Sequence, residues 1–461
     1  MKEWLVKNKK SLKIVGIALL ILSLLITLIL VKQNQDSRSS AAAPDKLETE
    51  GGVLSSTGVS KQTDSQASGG QYVSFSSQTS GPTPTPSVQS GYGPRSAPAI
   101  PSGSNVYFVP SSIADDNTGD VGSALQSFIN SVPNGSIIVF DQSKTAQGFT
   151  HKSATPDSIY RMTNGLILNN RSNLTFWGYN TKLNVIGSGT ADSHSGFTVS
   201  GGSNIKILGF EIQGTNTKSG AIDAYTGHPG ERQHGVAHIY ETNGTEIADV
   251  WVHHVNGDGI YTACWGTWPT AGNYNWHHNL IELTGRQGIT LNQTSSTLIE
   301  NNIVRDSALY NIDGEDCKDG TQKLTNVIIR NNEIARQGWG ADYGSHAISF
   351  EYDWNDPTPP ALADFGPITI ENNYFSAGAA PTSYSRYGNC GVTQINFTGP
   401  DGTRGHDLTI KGNQFNFLPA NQCGPAARIE DFDRVNVTNN KFQGMTITIT
   451  NSTSVTNSGN N

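Results

Sequence analysis

Three acidic side chains follow two short apolar segments in the middle of the chain. Asp313 and Glu315 come after Ile312, and Glu351 comes three residues after Ile348. If the two segments are neighbouring β-strands, alternate side chains point the same way, so the three carboxylates share one face. Carboxylates this close repel one another, and at least one pKa should rise. A protonated carboxyl beside an ionised one supplies the acid and the base or nucleophile that glycosidic-bond hydrolysis requires.

Six further residues are predicted to bind substrate: Tyr261, Arg286, Asn292, His346, Trp265 and Trp268. Tyr261 and Asn292 take outward positions on their strands, whereas Arg286 and His346 come just before theirs. The two tryptophans belong to a loop insertion, and flat indole faces pack well on the apolar faces of sugar rings. Tryptophans that anchor their own loop are an equally good interpretation.

An oxygen-rich turn begins at Glu351 and ends at Asp356. Its residues Asp353, Asn355 and Asp356 could hold a calcium ion, although an ordinary turn before Pro357 explains the same composition. The hydrolytic interpretation requires no cofactor, so calcium would be an addition to it.

The same residues leave other functions open. A polysaccharide lyase needs a base such as Arg286 and a cation that neutralises a uronate, and the three carboxylates could bind that cation. A uronan epimerase would combine Tyr261 with His234 or His254. The rival that is not an enzyme is a carbohydrate-binding adhesin, on which the acidic residues form a solvated face or hold a structural calcium.

An imperfect repeat positions these residues. Its pattern is, loosely, apolar-x-x-Asn-x-apolar, with another residue in place of the asparagine in the first two copies. It occurs at Ile207–Ile212, Ile247–Val252, Trp276–Ile281, Ile299–Val304, Ile329–Ile334, Ile370–Phe375, Ile410–Phe415 and Val437–Phe442. Successive copies are separated by as few as 23 residues and by as many as 41. A constant minimum with irregular excess indicates a coil of fixed length that carries loop insertions of variable length.

A second strand supports the same register. Ile260 and Ile289 each come 13 residues after the first apolar residue of their own coil, Ile247 and Trp276, and Ile312 repeats that offset. We therefore expect these isoleucines and Ile348 to stack, with the acids that follow them on a common exterior surface.

A column of asparagines recurs three residues after the first apolar position of the last six copies: Asn279, Asn302, Asn332, Asn373, Asn413 and Asn440. At the strand spacing of about 4.8 Å, their amides can hydrogen-bond along the stack. We predict a structural ladder at a bend, where asparagine tolerates a left-handed backbone.

The N-terminal part of the chain has a different composition. Residues 14–31 are nearly all aliphatic and, at about 1.5 Å per residue, are just long enough to cross a membrane. Lysines before this segment predict a single-pass anchor in the cell membrane with the bulk of the chain extracytoplasmic. A cleaved signal peptide is the alternative. Residues 32–103 are rich in Ser, Gly, Thr and Pro, which predicts a disordered linker.

The expected domain organisation follows from these boundaries. It comprises a cytoplasmic basic segment over 1–13, a transmembrane helix over 14–31, the linker over 32–103, the coiled domain over 104–450 and a disordered tail over 451–461. Asp120 begins an amphipathic segment that ends at Pro133-Asn-Gly135, and Ile137–Phe140 follows as a strand. This helix is predicted to cap the open end of the stack.

Charge narrows the choice of partner. The net charge is −8, and the first 38 residues carry seven basic and two acidic side chains, which leaves −13 for the rest. An acidic domain repels phosphate backbones, so nucleic acid is not an expected partner. We expect a polysaccharide or cell-surface glycan instead, with the membrane contacted through the N-terminal helix.

The sequence resembles the pectin-lyase-like superfamily from about Val106 to Ile449. The resemblance rests on the segments Asp120–Phe140 and Asn173–Gly178 and on the Asn-Asn coils. It implies an all-β fold: a single-stranded right-handed parallel β-helix, or solenoid, with an N-terminal capping helix. The superfamily includes hydrolases, lyases, epimerases and phage tailspikes. Asn311–Asp316 resembles the Asn-Thr-Asp element of polygalacturonases, whereas their Gly-His-Gly and Arg-Ile-Lys elements are absent from this sequence.

Overall fold

A computed structural model describes the backbone of residues 59–63 and 71–75, and then residues 91–143, 155–187, 194–216, 231–240, 242–263, 272–315, 323–337, 346–351, 364–376, 394–399, 404–416 and 425–461. Segment 14–31 lies outside these residues, as do Trp265, Trp268, Asp353, Asn355 and Asp356. Within the described part of the chain, no helix is long and apolar enough to span a membrane.

The secondary structure consists of many short strands and a helix, α1, at Gly122–Ser131. The strands in chain order are β1 Val59–Thr63, β2 Gln71–Phe75, β3 Val106–Phe108, β4 Ile137–Val139, β5 Ser158–Met162, β6 Leu166–Asn169, β7 Ser172–Val185, β8 Phe197–Ser200, β9 Ser203–Gln213, β10 Val236–Ile239, β11 Asn243–Ala248, β12 Trp251–His253, β13 Ile260–Thr262, β14 Asn275–His277, β15 Leu280–Glu282 and β16 Ile289–Thr290. They continue as β17 Thr294–Glu300, β18 Ile303–Ser307, β19 Ile312–Gly314, β20 Lys323–Arg330, β21 Glu333–Gln337, β22 Ile348–Phe350, β23 Asp364–Phe365, β24 Ile368–Glu371, β25 Tyr374–Ser376, β26 Ile395–Thr398, β27 Gly405–Lys411, β28 Gln414–Asn416, β29 Ala427–Glu430, β30 Phe432–Thr438, β31 Ile447–Thr450 and β32 Thr456–Ser458.

From β3 onward the strands form the turns of a coil. The first strand of each coil belongs to a ten-stranded parallel sheet in the order β6-β8-β10-β13-β16-β19-β22-β26-β29-β31. Two more strands complete the coil: β17 and β18 follow β16, and they pair in parallel with β20 and β21 of the next coil. The chain is thus a right-handed parallel β-helix, and the expected fold is confirmed. Among the described strands, β1 and β2 form a separate two-stranded sheet.

The prediction that each apolar-x-x-Asn-x-apolar segment is a single strand is wrong. The segment contains a corner between two strands, because β17 ends at Glu300 and β18 begins at Ile303. The left-handed residue at this corner is Asn301, with φ of 56°, and not the ladder residue Asn302. The preceding residue makes the turn, and Asn302 keeps its side chain pointing into the stack.

The asparagine ladder itself is confirmed. Asn279 Nδ2 donates to Asn302 Oδ1 at 2.9 Å, and Asn302 Nδ2 donates to Asn332 Oδ1 at 3.0 Å. The same bond repeats through Asn373, Asn413 and Asn440 and reaches Asn460. Each Oδ1 also accepts a backbone N–H from the preceding coil, such as that of Asn302 to Asn332 at 2.9 Å. Buried amides are thereby satisfied along most of the stack.

A continuous apolar core fills the coil. The inward-facing isoleucines of the middle of the ten-stranded sheet, from Ile260 on β13 to Ile395 on β26, are fully buried. Aromatic rings stack between coils, as in Phe350 with Phe397 at 4.9 Å between centroids. Helix α1 packs on β5 and β6 through Leu125 and Ile129, so the predicted cap is present. Its N-cap is Val121, one residue later than predicted, although Asp120 Oδ1 accepts the Gly122 N–H at 3.0 Å.

Two predicted boundaries differ from the structure. The linker was expected to extend to residue 103, but residues from 91 on already contact the coils. Arg95 donates to Asp249 from its backbone N–H and its guanidinium at 2.8 to 2.9 Å, and the Gly93 N–H donates to the Asn301 carbonyl at 2.9 Å. These contacts hold a segment that we call the strap, residues 91–100, against the coils.

The expected disordered tail is a strand instead. Residues 456–458 form β32, which pairs in parallel with β30, and Asn460 ends the asparagine ladder. Composition predicted disorder because 451–461 are small and polar. The ladder and the backbone pairing nevertheless hold this segment, neither of which needs apolar side chains.

Candidate functional site

The predicted stacking of the isoleucines is confirmed. Ile260, Ile289, Ile312 and Ile348 are paired in register across β13, β16, β19 and β22. Because these side chains enter the core, the residues directly after them lie on the outer surface of the ten-stranded sheet. Asp313 therefore lies between Thr290 and Ser349 of the adjoining coils.

Asp313 is a buried carboxyl on that outer surface. Its side chain is only 5 % exposed, and its Oδ2 accepts a hydrogen bond from Gln287 Nε2 at 3.1 Å. Burial raises the pKa of Asp313 well above its ordinary value, and the nearby carboxylates of Glu315 and Glu351 raise it further. The three predicted acids therefore come together, and one of them favours its protonated form, as expected.

Glu315 is held by two partners. Its Oε1 accepts a hydrogen bond from Arg286 Nη2 at 2.9 Å, and its Oε2 accepts one from Asn292 Nδ2 at 3.1 Å. Two residues that the sequence predicted as substrate-binding thus orient a predicted catalytic carboxylate.

Glu351 is the most accessible of the three acids. Its side chain is 36 % exposed, and its Oε1 lies 3.3 Å from His346 Nε2. The imidazole of His346 in turn stacks on the ring of Tyr310, with 5.7 Å between centroids and 3° between planes. A carboxylate that is oriented yet open to solvent is suited to activate water.

A fourth carboxyl, Asp258, was missed by the sequence analysis. It is fully buried, and it accepts hydrogen bonds from the Gln287 backbone N–H and from Thr290 Oγ1, both at 3.1 Å. Burial raises the pKa of Asp258, although Arg286, at 3.8 Å, opposes that rise. Gln287 therefore bridges two buried carboxyls, because its side chain also donates to Asp313.

Asp258 belongs to a second column of residues, each two positions before a buried apolar residue of the ten-stranded sheet. This spacing is the signal in the sequence by which Asp258 could have been found. The column contains His234, Asp258, Gln287, Tyr310 and His346. The sequence prediction used strand alternation and considered only outward positions that come after each isoleucine. The turn before each strand adds this second outward column, which alternation does not describe.

Arg286 is the cation at the centre of the cluster. Burial alone would lower the pKa of Arg286, but the negative charges of Asp258 and Glu315 raise it above its ordinary value. Beside it, Tyr261 stacks on His234 at 4.4 Å between centroids and 6° between planes. Burial, aided by Arg286, lowers the pKa of His234 to about 3, so this imidazole is neutral.

Two pairs of adjacent histidines, His253-His254 and His277-His278, lie on other faces of the coil. His253 is in register with Glu282, and His277 with Ala248, so the two pairs are not equivalent. His253 Nε2 lies 3.1 Å from Glu211, and His277 Nε2 lies 3.3 Å from Glu246. Among the described residues, no group of histidine, cysteine and acidic side chains has the geometry of a metal site.

Comparison with known proteins finds only solved structures of low sequence identity. No family model matches the sequence, and no curated protein is similar to it. Three similar structures are DFA-IIIase from Arthrobacter chlorophenolicus (11 % identity, 77 % of this chain and 86 % of that chain, TM-score 0.42), the A-module of the mannuronan C-5 epimerase AlgE4 from Azotobacter vinelandii (12 %, 77 % and 98 %, 0.41), and the catalytic domain of a GH87 alpha-1,3-glucanase in complex with nigerose (15 %, 79 % and 70 %, 0.38). At this level of similarity they assign no activity to the chain.

Proposed function

We propose that the protein is a glycan-active enzyme that hydrolyses glycosidic bonds at the outer surface of its ten-stranded sheet. The observation that carries the proposal is the burial of Asp313 beside two other carboxylates, which raises its pKa. A carboxyl whose pKa is raised keeps its proton to a higher pH and can act as a general acid. A hydrolase needs such a group next to an ionised carboxylate.

The site residues then divide the reaction between them. Asp313 gives its proton to the glycosidic oxygen as the bond from that oxygen to the anomeric carbon breaks. Glu351 removes a proton from a water molecule, whose oxygen forms the new bond to the anomeric carbon. Glu315, oriented by Arg286 and Asn292, supplies the negative charge that keeps Asp313 protonated.

Substitution of the two reacting carboxyls tests the proposal. We expect Asp313→Asn and Glu351→Gln each to lower kcat by about 10²-fold to 10⁴-fold on a glycan that the wild type cleaves, because each removes a proton-transfer group. Reducing-end release measures the rate. Glu371→Gln is the matched control, since Glu371 pairs with Lys411 on another face.

Retained turnover in both variants would show that the carboxyls do not catalyse the reaction. An adhesin would give a different result, namely binding to a glycan without turnover of any glycan tested by the wild type. Circular dichroism establishes that the variants are folded, because the coil does not depend on either side chain.

A second candidate is a uronan lyase or epimerase. The observation that favours it is the stacking of Tyr261 on His234 beside Arg286, which brings a phenol, an imidazole and a guanidinium together. A lyase forms an unsaturated product that absorbs ultraviolet light, whereas a hydrolase does not. Absorbance during turnover of polygalacturonate and alginate therefore separates the two.

We also propose that the enzyme acts outside the cytoplasm, anchored by residues 14–31. The proposal rests on the aliphatic composition of that segment and on the lysines before it. Protease treatment of intact cells that express the full chain should remove the coiled domain. A domain that is protected in intact cells and digested only after lysis would exclude this location.

A further inference from the structure

We propose that Ser349 and Asn396 form a binding subsite for the hydroxyl groups of a neutral sugar, beside Asp313. This inference deepens the proposed function, since it names the class of substrate that the site takes. It rests on two buried polar side chains that the folded chain leaves unsatisfied next to the acids.

The subsite continues the outer surface on which Asp313 lies. Asp313 is in register with Ser349, and Ser349 with Asn396, on the successive strands β19, β22 and β26. The flanking Phe350 and Phe397 enter the core, so Ser349 and Asn396 point outward. At a strand spacing of about 4.8 Å, the two side chains extend the site along the helix axis, coil by coil, towards the C-terminus.

Both side chains are buried without hydrogen-bond partners. Ser349 and Asn396 are each 1 % exposed, and among the described residues neither Ser349 Oγ nor the Oδ1 and Nδ2 of Asn396 has a partner. Buried polar atoms in native proteins are almost always paired, because an unpaired one loses its hydration without compensation. An unpaired cluster at a functional surface therefore indicates a ligand that completes it.

The ladder shows that this chain can satisfy buried asparagines. Asn373 donates to the Ile329 carbonyl at 2.9 Å and to Asn413 Oδ1 at 3.1 Å, and it accepts from Asn332. Asn396 belongs to the same stack of coils but is placed on the outer surface of the ten-stranded sheet, where no such ladder forms. Its unpaired amide is a property of its position and not of its residue type.

The chemistry of the two groups points to neutral hydroxyls. A serine hydroxyl and a carboxamide each donate and accept hydrogen bonds, as a sugar hydroxyl does. The charged neighbours oppose an anionic sugar. Glu315 follows Asp313 by two residues, and Glu351 follows Ser349 by two residues. On the other side of the subsite, Arg428 is in register with Asn396 and is paired with Glu430 at 2.8 Å. A uronate at this position would meet negative charge and a cation that is already neutralised.

Binding measurements test the subsite without relying on turnover. The Asp313→Asn protein is titrated calorimetrically with two sets of oligosaccharides, one neutral (gluco-, manno- and fructo-oligosaccharides) and one anionic (oligogalacturonate and oligoalginate). We expect a neutral member to bind more tightly than both anionic ones. Ser349→Ala and Asn396→Ala, added to this background, should each weaken that binding by about tenfold, the usual effect of one or two lost hydrogen bonds.

Thermal stability supplies the second readout. Because each substitution removes unsatisfied buried atoms, neither should lower Tm, whereas a structural polar residue would lower it when removed. Asn436→Ala, on β30 and away from the ten-stranded sheet, is the matched control and should leave binding unchanged. In the catalytically intact protein the same two substitutions should raise KM and leave kcat nearly unchanged.

Three outcomes overturn the inference: no neutral probe binds, an anionic probe binds more tightly, or both variants bind the neutral probe as the parent does. A wild type that binds a neutral glycan through Ser349 and Asn396 but never cleaves it would reject the hydrolase proposal and keep the subsite. Turnover of a glycan that does not change when Ser349 or Asn396 is substituted would reject the subsite and keep the hydrolase proposal.

Discussion

At the scale of single residues, the site concentrates buried carboxyls around one glutamine. Gln287 donates its backbone N–H to Asp258 and its side-chain amide to Asp313, and burial raises the pKa of both carboxyls. Burial of these carboxyls costs free energy whenever they ionise. Stability should therefore increase when one of these acids is neutralised.

We predict that Asp313→Asn raises the free energy of unfolding at pH 7 by about 1–2 kcal/mol, because the amide needs no proton to remain neutral when buried. The folded pKa of Asp313 is raised, so its stabilising contribution is complete below the ordinary pKa near 3.8 and is lost as pH rises towards the folded value. The advantage of the variant should thus grow from about pH 4 upward. Urea unfolding at several pH values measures it.

The pH dependence is the decisive part of this prediction. A variant that is less stable than the wild type at pH 7 would mean that Asp313 is an ionised structural partner of Gln287. Glu371→Gln again serves as the control, and its effect on stability should not follow the same pH profile.

At the scale of elements, the corners and the asparagine ladder determine where each strand ends more than strand propensity does. The corner after β17 is made by Asn301 in a left-handed conformation, and Asn302 then fills the interior of the turn with bonds to its neighbours above and below. The ladder therefore sets the position at which the sheet turns. In two successive coils the same number of residues, ten, leads from the ladder residue to the buried isoleucine of the ten-stranded sheet, from Asn279 to Ile289 and from Asn302 to Ile312.

We predict that Asn373→Ala lowers the free energy of unfolding by about 3 kcal/mol or more. The substitution removes the acceptor for the Asn332 backbone N–H and for the Asn332 side chain, and both donors are left buried. Urea denaturation measures the loss. Asn436→Ala is the control with the same change on a half-buried surface, and a loss equal to the control's would mean that the ladder contributes no net stability.

At the scale of the whole molecule, the stack is held at its N-terminal end and along one side. Helix α1 covers the first coils, and the strap at 91–100 crosses the outer surface through Arg95 and Gly93. Asp249, which receives the Arg95 guanidinium, is 1 % exposed and also accepts a hydrogen bond from the Tyr179 hydroxyl. Its charge is therefore buried by the fold and compensated by the strap.

We predict that Arg95→Ala lowers the free energy of unfolding by about 2 kcal/mol at pH 7, an estimate reduced for the half-exposed arginine. Burial would raise the pKa of Asp249, but hydrogen bonds from Arg95 and Tyr179 hold it below its ordinary value. The stabilisation is therefore present above about pH 4 and is lost as pH falls, so the difference between variant and wild type should shrink in acid.

Proteolysis of the strap supplies an independent measurement. Cleavage near residue 95 should be faster in the variant, whereas Arg428→Ala, which breaks an exposed pair on another face, should leave it unchanged. Equal cleavage rates in wild type and Arg95→Ala would show that the strap is held by its backbone alone.

The sequence by itself determined the coil, its register and the shared surface of Asp313, Glu315 and Glu351. Each of these follows from periodicity, since strand alternation and coil length repeat along the chain. Only the tertiary structure decided that Asp258 joins the acids, that Glu315 is held by Arg286 and Asn292, and that Ser349 and Asn396 are left unpaired. Those relations depend on the turn before each strand, which strand alternation does not describe, and on which side chains meet across coils. The sequence did not predict the strap or the last strand, because these polar segments are held by partners that are far away in the chain.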